Sequence, residues 1–217
     1  MKIIQKLVPQ SKYSIKCPYS MTPEFIVVHN TANDASAKNE VAYMINNNNE
    51  VSFHYAIDDK EIVQGIPENR NAWHAGDGNG QGNRKGIGIE ICYSKSGGQK
   101  FINAEKLAAK FIASKLKEKN WGIDKVKKHQ DFSGKYCPHR TLDMGWQRFL
   151  NMVQTELNKL KGGNKMVNNN APSNWAKEAW DWAKKEGLLD GNRPKDNMTR
   201  EELAAVLYRL HKSGKIR

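Results

Sequence analysis

The 217-residue sequence predicts an α/β domain followed by a small all-α unit. Short apolar or alternating runs, which are typical of strands, recur through the first part of the chain. Amphipathic stretches with helical spacing lie between and after these runs. Strands interleaved with helices indicate an α/β architecture. Beyond a polar segment, the end of the chain carries helical patterns alone.

The first predicted strands are short and bounded by turns. Residues 25–29 (FIVVH) are apolar up to His29, which suits a strand buried on both faces. His29 stands at the carboxyl end of this strand, where ligands commonly gather in sheet proteins. A turn at residues 58–60 joins two further predicted strands, at 51–57 and 61–65.

Residues 86–92 (GIGIEIC) alternate between the two faces of a strand. Ile87, Ile89 and Ile91 share one face, and Glu90 projects from the other. Burying a carboxylate in the middle of a strand is costly unless the group has a partner. Glu90 therefore indicates a nearby metal ion or a solvated cleft.

Helices are predicted at 36–46, 104–117 and 142–160, the second of which has the clearest apolar stripe. Residues 11–24 are expected to be an irregular lead-in. Residues 124–130 are expected to return to extended structure at His129.

The sequence divides into a domain at 1–160, a linker at 161–172 and a helix–loop–helix unit at 173–217. The linker is rich in Gly and Asn. Capping patterns bound the two tail helices: Ser173 or Asn174 before the first, Gly187 after it, and Thr199 with Glu202 at the second. A unit of this size is near the lower limit for an independent core. We expect it to pack on the first domain or on copies of itself.

Charge and composition narrow the classes of partner. Lys and Arg exceed Asp and Glu by 35 − 23 = 12, which favours polyanions such as nucleic acid, acidic cell-wall polymers or anionic membranes. The basic and aromatic residues form no nucleic-acid signature, so nucleic acid is not expected as a partner. Three widely spaced cysteines argue against a disulfide framework.

Hydropathy gives a further expectation about location. No apolar run approaches ~18 residues, so no membrane span is expected. The first ten residues lack the apolar core of a secretory signal, so we expect synthesis in the cytoplasm without such a signal.

The segment HQDFSGKYCPHR at 129–140 carries the strongest chemical pattern. His129 and Cys137 can meet across a folded loop, and His29 is a third candidate ligand. Two histidines and one cysteine would give zinc three protein ligands and leave the fourth position open, the pattern of a catalytic site. Two alternatives stay open at this point. His139 is close enough to replace Cys137, and Cys137 with a histidine base would be a covalent nucleophile.

The loop NAWHAGDGNGQGNR at 71–84 is rich in glycine, which can adopt backbone conformations that other residues avoid. No Gly-Lys-Ser/Thr follows, so it is not a phosphate loop. We expect it to form a cleft wall in which Trp73 and His74 contact substrate. The competing interpretation is that both are ordinary packing residues.

Taken together, these segments make the first domain similar to the zinc N-acetylmuramoyl-L-alanine amidases related to T7 lysozyme and the peptidoglycan-recognition proteins. The similarity covers roughly residues 20–160 and is greatest to the Bacillus phage endolysin amidases. The segments that carry it are VVHNT, NAWHAGDG, IGIEI and the His-x7-Cys pair with a lysine two residues before the cysteine.

The resemblance implies a mixed β-sheet flanked by helices and a zinc ion on His29, His129 and Cys137. It also implies hydrolysis of the amide between N-acetylmuramic acid and L-alanine in peptidoglycan. Lys135 matches the lysine of the family and would stabilise the oxyanion. Many relatives have a catalytic tyrosine where this chain has Phe53, so the role of general base would fall on Glu90.

The tail resembles a single S-layer homology repeat, through WAKEAWDWAKKEGLLDG and MTREELAAVLYRL. Such repeats usually occur in threes and bind anionic secondary cell-wall polymers. A single copy suggests that repeats associate between chains into a homo-oligomer. The basic excess would also attract teichoic acid.

The favoured function is a zinc amidase of a phage or prophage that lyses Gram-positive walls and is released through a holin-type membrane hole. A bacterial autolysin with the same activity is an alternative. A zinc-independent peptidoglycan-recognition module is disfavoured, because the loss of zinc usually shows at the position of Cys137. A glycosidase would need two carboxylates about 5–10 Å apart, and only Glu90 stands out.

Overall fold

A computed structural model describes residues 2–162, 172, 176–189 and 200–214, without the side chains of 200–202. The chain divides into two compact units, Met1–Lys161 and Gly162–Arg217. None of the helices within the described ranges is both long and apolar enough to cross a bilayer.

The first unit contains a six-stranded sheet in the order β1-β4-β3-β5-β2-β6. The β3–β4 pair is antiparallel and the other neighbouring pairs are parallel, so the sheet is mixed, as expected. The strands are β1 Ile3–Gln5, β2 Phe25–Asn30, β3 Tyr55–Ile57, β4 Ile62–Gln64, β5 Gly86–Ile91 and β6 Val126–Lys128.

Helices flank this sheet, and one further pair lies in the second unit. The first unit contains α1 Tyr13–Lys16, α2 Ala37–Asn46, α3 Gln81–Lys85, α4 Gly98–Glu118, α5 Gln130–Ser133, α6 His139–Asp143 and α7 Trp146–Leu160. The second contains α8 Lys177–Lys185 and α9 Arg200–Lys212.

Apolar side chains pack on both faces of the sheet. On one face the three isoleucines of β5 join a cluster with residues of α4 and α7, including Phe111 and Phe149. On the other face Val41 and Met44 of α2 pack with Ala56 and Val63. Because both faces are covered, every residue of β2 is buried, which confirms the interpretation of its apolar run.

Several elements differ from the sequence-based expectation. The helix expected at 142–160 is two helices, α6 and α7, separated at Gly145, whose φ of +102° is accessible mainly to glycine. Helix α4 begins at Gly98, six residues before the expected start. The short strand β1 and helix α1 were not anticipated, because three or four residues give too little periodicity to recognise.

The strand expected at 51–57 begins only at Tyr55. Val51 is 67% exposed, whereas Phe53 is buried in the cluster with Val41 and Met44, and both residues line a cleft.

His54 takes part in the sheet through its ring. The fully buried imidazole accepts a hydrogen bond at Nδ1 from the backbone N–H of Gly88 (2.9 Å). Its Nε2 is 2.9 Å from the carbonyl oxygen of Arg70, which places the ring proton on Nε2. Burial lowers the pKa of His54 to about 4, and the Arg70 carbonyl and Glu68 offset part of that effect. His54 is thus a structural residue.

In the second unit, Gly187 follows α8 with a φ of +68°, as expected of a helix C-terminus. The expected caps Ser173, Asn174 and Thr199, the side chain of Glu202 and most of the linker lie outside the described residues. In α9, Leu203 and Leu207 are each 48% exposed, so these two apolar side chains are not buried.

We predict that His54→Gln makes the metal-free protein less sensitive to acid. The pKa of His54 in the fold is about 4, below ~6.5 for an unfolded histidine. Only the unfolded chain therefore gains this proton between these pH values, and the fold loses stability as pH falls. Between pH 7 and pH 5 this contribution is about 2 kcal/mol.

Urea unfolding of both proteins at pH 7 and pH 5 measures this effect. The loss of unfolding free energy from pH 7 to pH 5 is compared between the two proteins, because other buried groups titrate in both and cancel in the difference. Gln retains an acceptor and a donor of similar reach. Equal losses of stability in the wild type and the variant would contradict the prediction.

Candidate metal centre

Three neighbouring parallel strands bring the predicted site residues to one edge of the sheet. His29 of β2 is in register with Glu90 of β5. His129 directly follows β6, and its backbone N–H donates to the carbonyl of Val28 (3.3 Å). The carboxyl ends of β5, β2 and β6 therefore place these side chains together, although 100 residues separate His29 from His129.

A closed loop brings Cys137 back to His129. The N–H of Gln130 donates to the carbonyl of Cys137 (3.0 Å). Within the loop, Gly134 adopts the left-handed conformation at the end of α5, with a φ of +75°. The turn thus makes the two ends of the His-x7-Cys segment neighbours.

The three candidate ligands form one buried group. Their ligand atoms all lie within 4.8 Å of one another. His29 Nδ1 is 3.0 Å from His129 Nδ1 and 3.9 Å from Cys137 Sγ. His139, the alternative ligand, lies outside this group, and its Nε2 is 3.3 Å from the Ser94 carbonyl.

A chain of hydrogen bonds fixes the tautomer of His29. His74 Nε2 is 3.2 Å from the carbonyl oxygen of Gly86, so this nitrogen carries the proton. His74 Nδ1 is then an acceptor, and His29 Nε2 lies 3.0 Å from it and donates. The lone pair of His29 is therefore on Nδ1, the atom that faces His129 and Cys137.

The position of His74 depends on a glycine in the neighbouring strand. A Cβ atom at Gly88 would lie 2.6–2.9 Å from atoms of the His74 ring. Because Gly88 has no side chain, the His74 ring can pack against β5 and hydrogen-bond to His29.

Burial keeps the histidines neutral. It lowers the pKa of His29 far below its ordinary value, and that of His74 to about 3. The pKa of His129 is also lowered, first by burial and then by the Lys135 ammonium, although the Ala75 carbonyl acts in the opposite direction. Neutral imidazoles are the form that binds metal ions.

Cys137 is a protonated thiol in the absence of a cation. Burial and the Glu90 carboxylate raise its pKa to about 11. The backbone N–H groups of Asn30 and His139 and the charge of Lys135 act in the opposite direction. A divalent cation bound to the sulfur would displace the proton.

This donor set fits zinc. Two imidazoles and one thiolate are ligands that Zn²⁺ favours, and bond lengths of ~2.0–2.3 Å in a tetrahedron require donor separations of ~3.3–3.6 Å. The separations from His29 Nδ1 are 3.0 and 3.9 Å, and all three ligand atoms lie within 4.8 Å of one another, so side-chain movements of about 1 Å would bring them to these distances.

Glu90 borders a cleft beside the ligand group. The cleft has a volume of about 650 Å³. Glu90 Oε2 is buried and has no hydrogen-bond partner among the described residues. Burial raises the pKa of Glu90 to about 8; Glu40 raises it further and Lys135 lowers it. The lining residues are Thr31, Asn33, Ala35, Asn39, Glu40, Tyr43, Met44, Asn47, Asn49, Val51, Phe53 and Glu90.

Lys135 is an exposed residue of the loop that carries Cys137. Its positive charge is close enough to lower the pKa values of His29, His129, Cys137 and Glu90. The structure therefore places a cation that faces solvent next to a buried ligand group.

Neither Trp73 nor His74 lines the described cleft, and their predicted contact with substrate stays a prediction. Trp73 Nε1 donates to the carbonyl of Ile15 (3.0 Å), and its ring packs edge-on against Tyr19. His74 is buried behind His29, with both ring nitrogens engaged by the protein.

Helix α2 forms one wall of the cleft, which sequence reasoning did not identify. Lys16 is fully buried, and its ammonium donates to Asn47 Oδ1 (2.9 Å) and to the carbonyls of Asn49 and Val51. Lys12 donates to the carbonyl of Ile45 (2.7 Å). The two lysines thus satisfy carbonyl groups at the end of α2 and fix the segment that follows.

Residues 19–140 match the family model described as N-acetylmuramoyl-L-alanine amidase, a region that contains the three candidate ligands, Glu90 and Lys135. The N-acetylmuramoyl-L-alanine amidase CwlA of Bacillus subtilis (strain 168) is 60% identical over 164 residues, which are 75% of this chain and 60% of CwlA. XlyB of the same organism, with the same description, is 60% identical over 156 residues, 71% of this chain and 49% of XlyB. The matched region thus spans about half to three fifths of these relatives.

Solved structures show the same relationship. The structure of PlyL is 57% identical, has a TM-score of 0.69, and covers 70% of this chain and 97% of its own. The solution structure of the PlyG catalytic domain is 56% identical, also with a TM-score of 0.69, and covers 72% of this chain and 96% of its own. With the family model matching more than half of its residues, the chain belongs to the N-acetylmuramoyl-L-alanine amidase family.

Proposed function

We propose that this chain is a zinc-dependent peptidoglycan hydrolase that cleaves the amide between N-acetylmuramic acid and L-alanine, as a phage or prophage endolysin. The observation that carries the proposal is the buried His29–His129–Cys137 group beside Glu90 in a member of this family. A bacterial autolysin would have the same chemistry. The proposed place of action is the cell wall, after holin-type release.

His29, His129 and Cys137 would hold the metal, and His74 would orient His29 rather than contact substrate. A zinc ion at such a site polarises a carbonyl and lowers the pKa of water to about 7. The protein supplies a neutral His29 whose lone pair already faces the other two ligand atoms, which reduces the reorganisation needed on binding.

Glu90 is proposed as the general base and then the general acid. Its buried, unpartnered Oε2 borders the cleft, and in the ionised form that a nearby dication would favour it can take a proton from the attacking water. The same carboxyl group then passes that proton to the leaving amine of L-alanine. Phe53 lines the cleft without a hydroxyl group, so a phenol at that position does not share this role.

Lys135 is proposed to stabilise the oxyanion. Its exposed ammonium can approach a carbonyl oxygen bound at the ligand group without itself being buried. The cleft beside Glu90 would hold the adjoining part of the substrate. A substrate contact by Trp73 stays a hypothesis.

We propose that the tail contributes wall attachment and self-association, in the manner of an S-layer homology repeat. The half-exposed Leu203 and Leu207 on one face of α9 support this, because they form an apolar surface that a second copy can bury. Anionic secondary wall polymer or teichoic acid is the proposed ligand, which the net charge of +12 favours.

The primary prediction concerns the product formed from purified Gram-positive cell walls. We expect new free amino groups of L-alanine. They should not form when the enzyme has been treated with a zinc chelator, and they should form again when zinc is restored. New reducing sugar ends without new amines would contradict the proposal. Tight binding to walls with neither product would indicate the recognition-only alternative.

The proposed roles of Glu90 and Lys135 predict that substituting either residue lowers kcat while zinc stays bound. Glu90→Gln should lower kcat by about 10²–10⁴-fold, because proton transfer is removed. Lys135→Met should lower it by about 10²–10³-fold, because charge stabilisation is removed. Lys60→Met, at an exposed lysine in the β3–β4 turn, is the matched control and should retain activity. Full activity of Glu90→Gln would assign proton transfer to another group.

The tail proposal predicts self-association through the second unit. At micromolar concentration the full chain should show a solution mass above that of a monomer, by ultracentrifugation. Leu203→Glu with Leu207→Glu should return it to the monomer, because charge on this face opposes burial. A strictly monomeric wild-type chain would contradict the prediction.

A further inference from the structure

Asn30 is a buried polar residue to which the proposed chemistry assigns no role. It follows His29 at the end of β2 and is only 6% exposed. Its side-chain oxygen accepts hydrogen bonds from the backbone N–H groups of Arg140 (3.0 Å) and Thr141 (3.2 Å). Its amide nitrogen donates to the carbonyl of His29 (3.1 Å) and approaches the hydroxyl oxygen of Thr141 (3.4 Å).

These contacts make Asn30 the capping residue of a helix 110 positions away in sequence. The first N–H groups of a helix have no acceptor within the helix itself. In α6 the N-cap position is Pro138, whose side chain offers no acceptor. Arg140 and Thr141 occupy the second and third helical positions, whose N–H groups an N-cap side chain ordinarily accepts. Asn30 provides this cap from the neighbouring strand.

The cap links two of the candidate metal ligands. His29 is the residue before Asn30, and Cys137 lies two residues before α6. The backbone N–H of Asn30 also acts on the Cys137 sulfur and counteracts part of the rise in its pKa. One residue therefore attaches the helix after Cys137 to the strand that carries His29.

Other contacts restrain α6 from a different side. The Arg140 guanidinium donates to the carbonyls of Ser94 (2.5 Å) and Lys95 (2.7 Å), in the segment after β5. Those contacts hold α6 against the body of the domain, whereas the Asn30 amide sets its position relative to β2. The two functions are therefore separable by mutation.

We propose that Asn30 is a positioning residue that holds Cys137 at ligand distance from His29 and thereby sets the metal affinity of the site. This inference rests on the proposed zinc site and extends it to a residue that would not touch the metal. A residue with a purely structural role would affect folding stability without a specific effect on the metal.

The test is equilibrium zinc affinity of the full chain, by competition with a chromophoric chelator, together with the thiolate charge-transfer absorption of the Co²⁺-loaded protein. Asn30→Ala should weaken zinc binding by about 10- to 100-fold, as for other supporting contacts of metal ligands, and reduce the thiolate band. Asn30→Asp retains the acceptor atoms for Arg140 and Thr141, so its affinity should stay within about threefold of the wild type, a difference below 1 kcal/mol.

Gln64→Ala is the matched control. Gln64 is a buried amide on β4, three strands away from β2, and donates to the carbonyl of Ile66 (3.1 Å). Its loss should lower the melting temperature of the metal-free protein and leave the zinc affinity unchanged.

The outcomes are distinguishable. Wild-type affinity and an unchanged thiolate band in Asn30→Ala would overturn the inference, as would an equal loss of affinity in Gln64→Ala. If Asn30→Ala does not fold, a tenfold loss in Asn30→Asp overturns it and retained affinity supports it. If the wild type itself binds no zinc, the proposed function fails, and this inference fails with it.

Discussion

The hydrogen bond between His29 and His74 is the interaction on which the arrangement of the site depends. It requires that His74 be protonated on Nε2, which the Gly86 carbonyl provides, and it leaves the His29 lone pair directed at His129 and Cys137. It also requires the space over Gly88. The orientation of His29 thus follows from contacts made by residues of β5 and of the loop before it, none of which is a candidate ligand.

Burial sets the electrostatic character of this site in an otherwise strongly basic protein. Desolvation favours neutral imidazoles, a protonated thiol and a protonated Glu90, as the directions of their pKa shifts show. Lys135 adds positive potential from the solvent side. A dication is the species that would reverse the effect of burial on Cys137 and Glu90 at once, because its charge favours both anions. Binding and deprotonation are therefore expected to be coupled.

The sequence was sufficient to predict the strands that carry the site and the three residues that the fold brings together. β2 and β5 were recognisable because apolar runs and strict alternation are strong signals, and the His-x7-Cys spacing limited where a loop could close. The contacts made by His74, by Asn30 and by the α2 wall of the cleft were not predictable. Each acts through a partner at least 20 residues away in sequence, and such pairings follow from strand order, which local periodicity does not encode. The break at Gly145 was missed for a related reason, since a single glycine weakens a helix without always ending it.

Lys16 illustrates how a cleft wall can be fixed by a charge that is hidden from solvent. Its ammonium is bound by oxygen atoms of residues 47, 49 and 51, so the nitrogen has no free access to reagents while the segment after α2 keeps its place. In a protein with many accessible lysines, this amine should be among the slowest to acylate. The acylation rate of Lys16 would therefore measure how often the segment after α2 opens locally and exposes the amine.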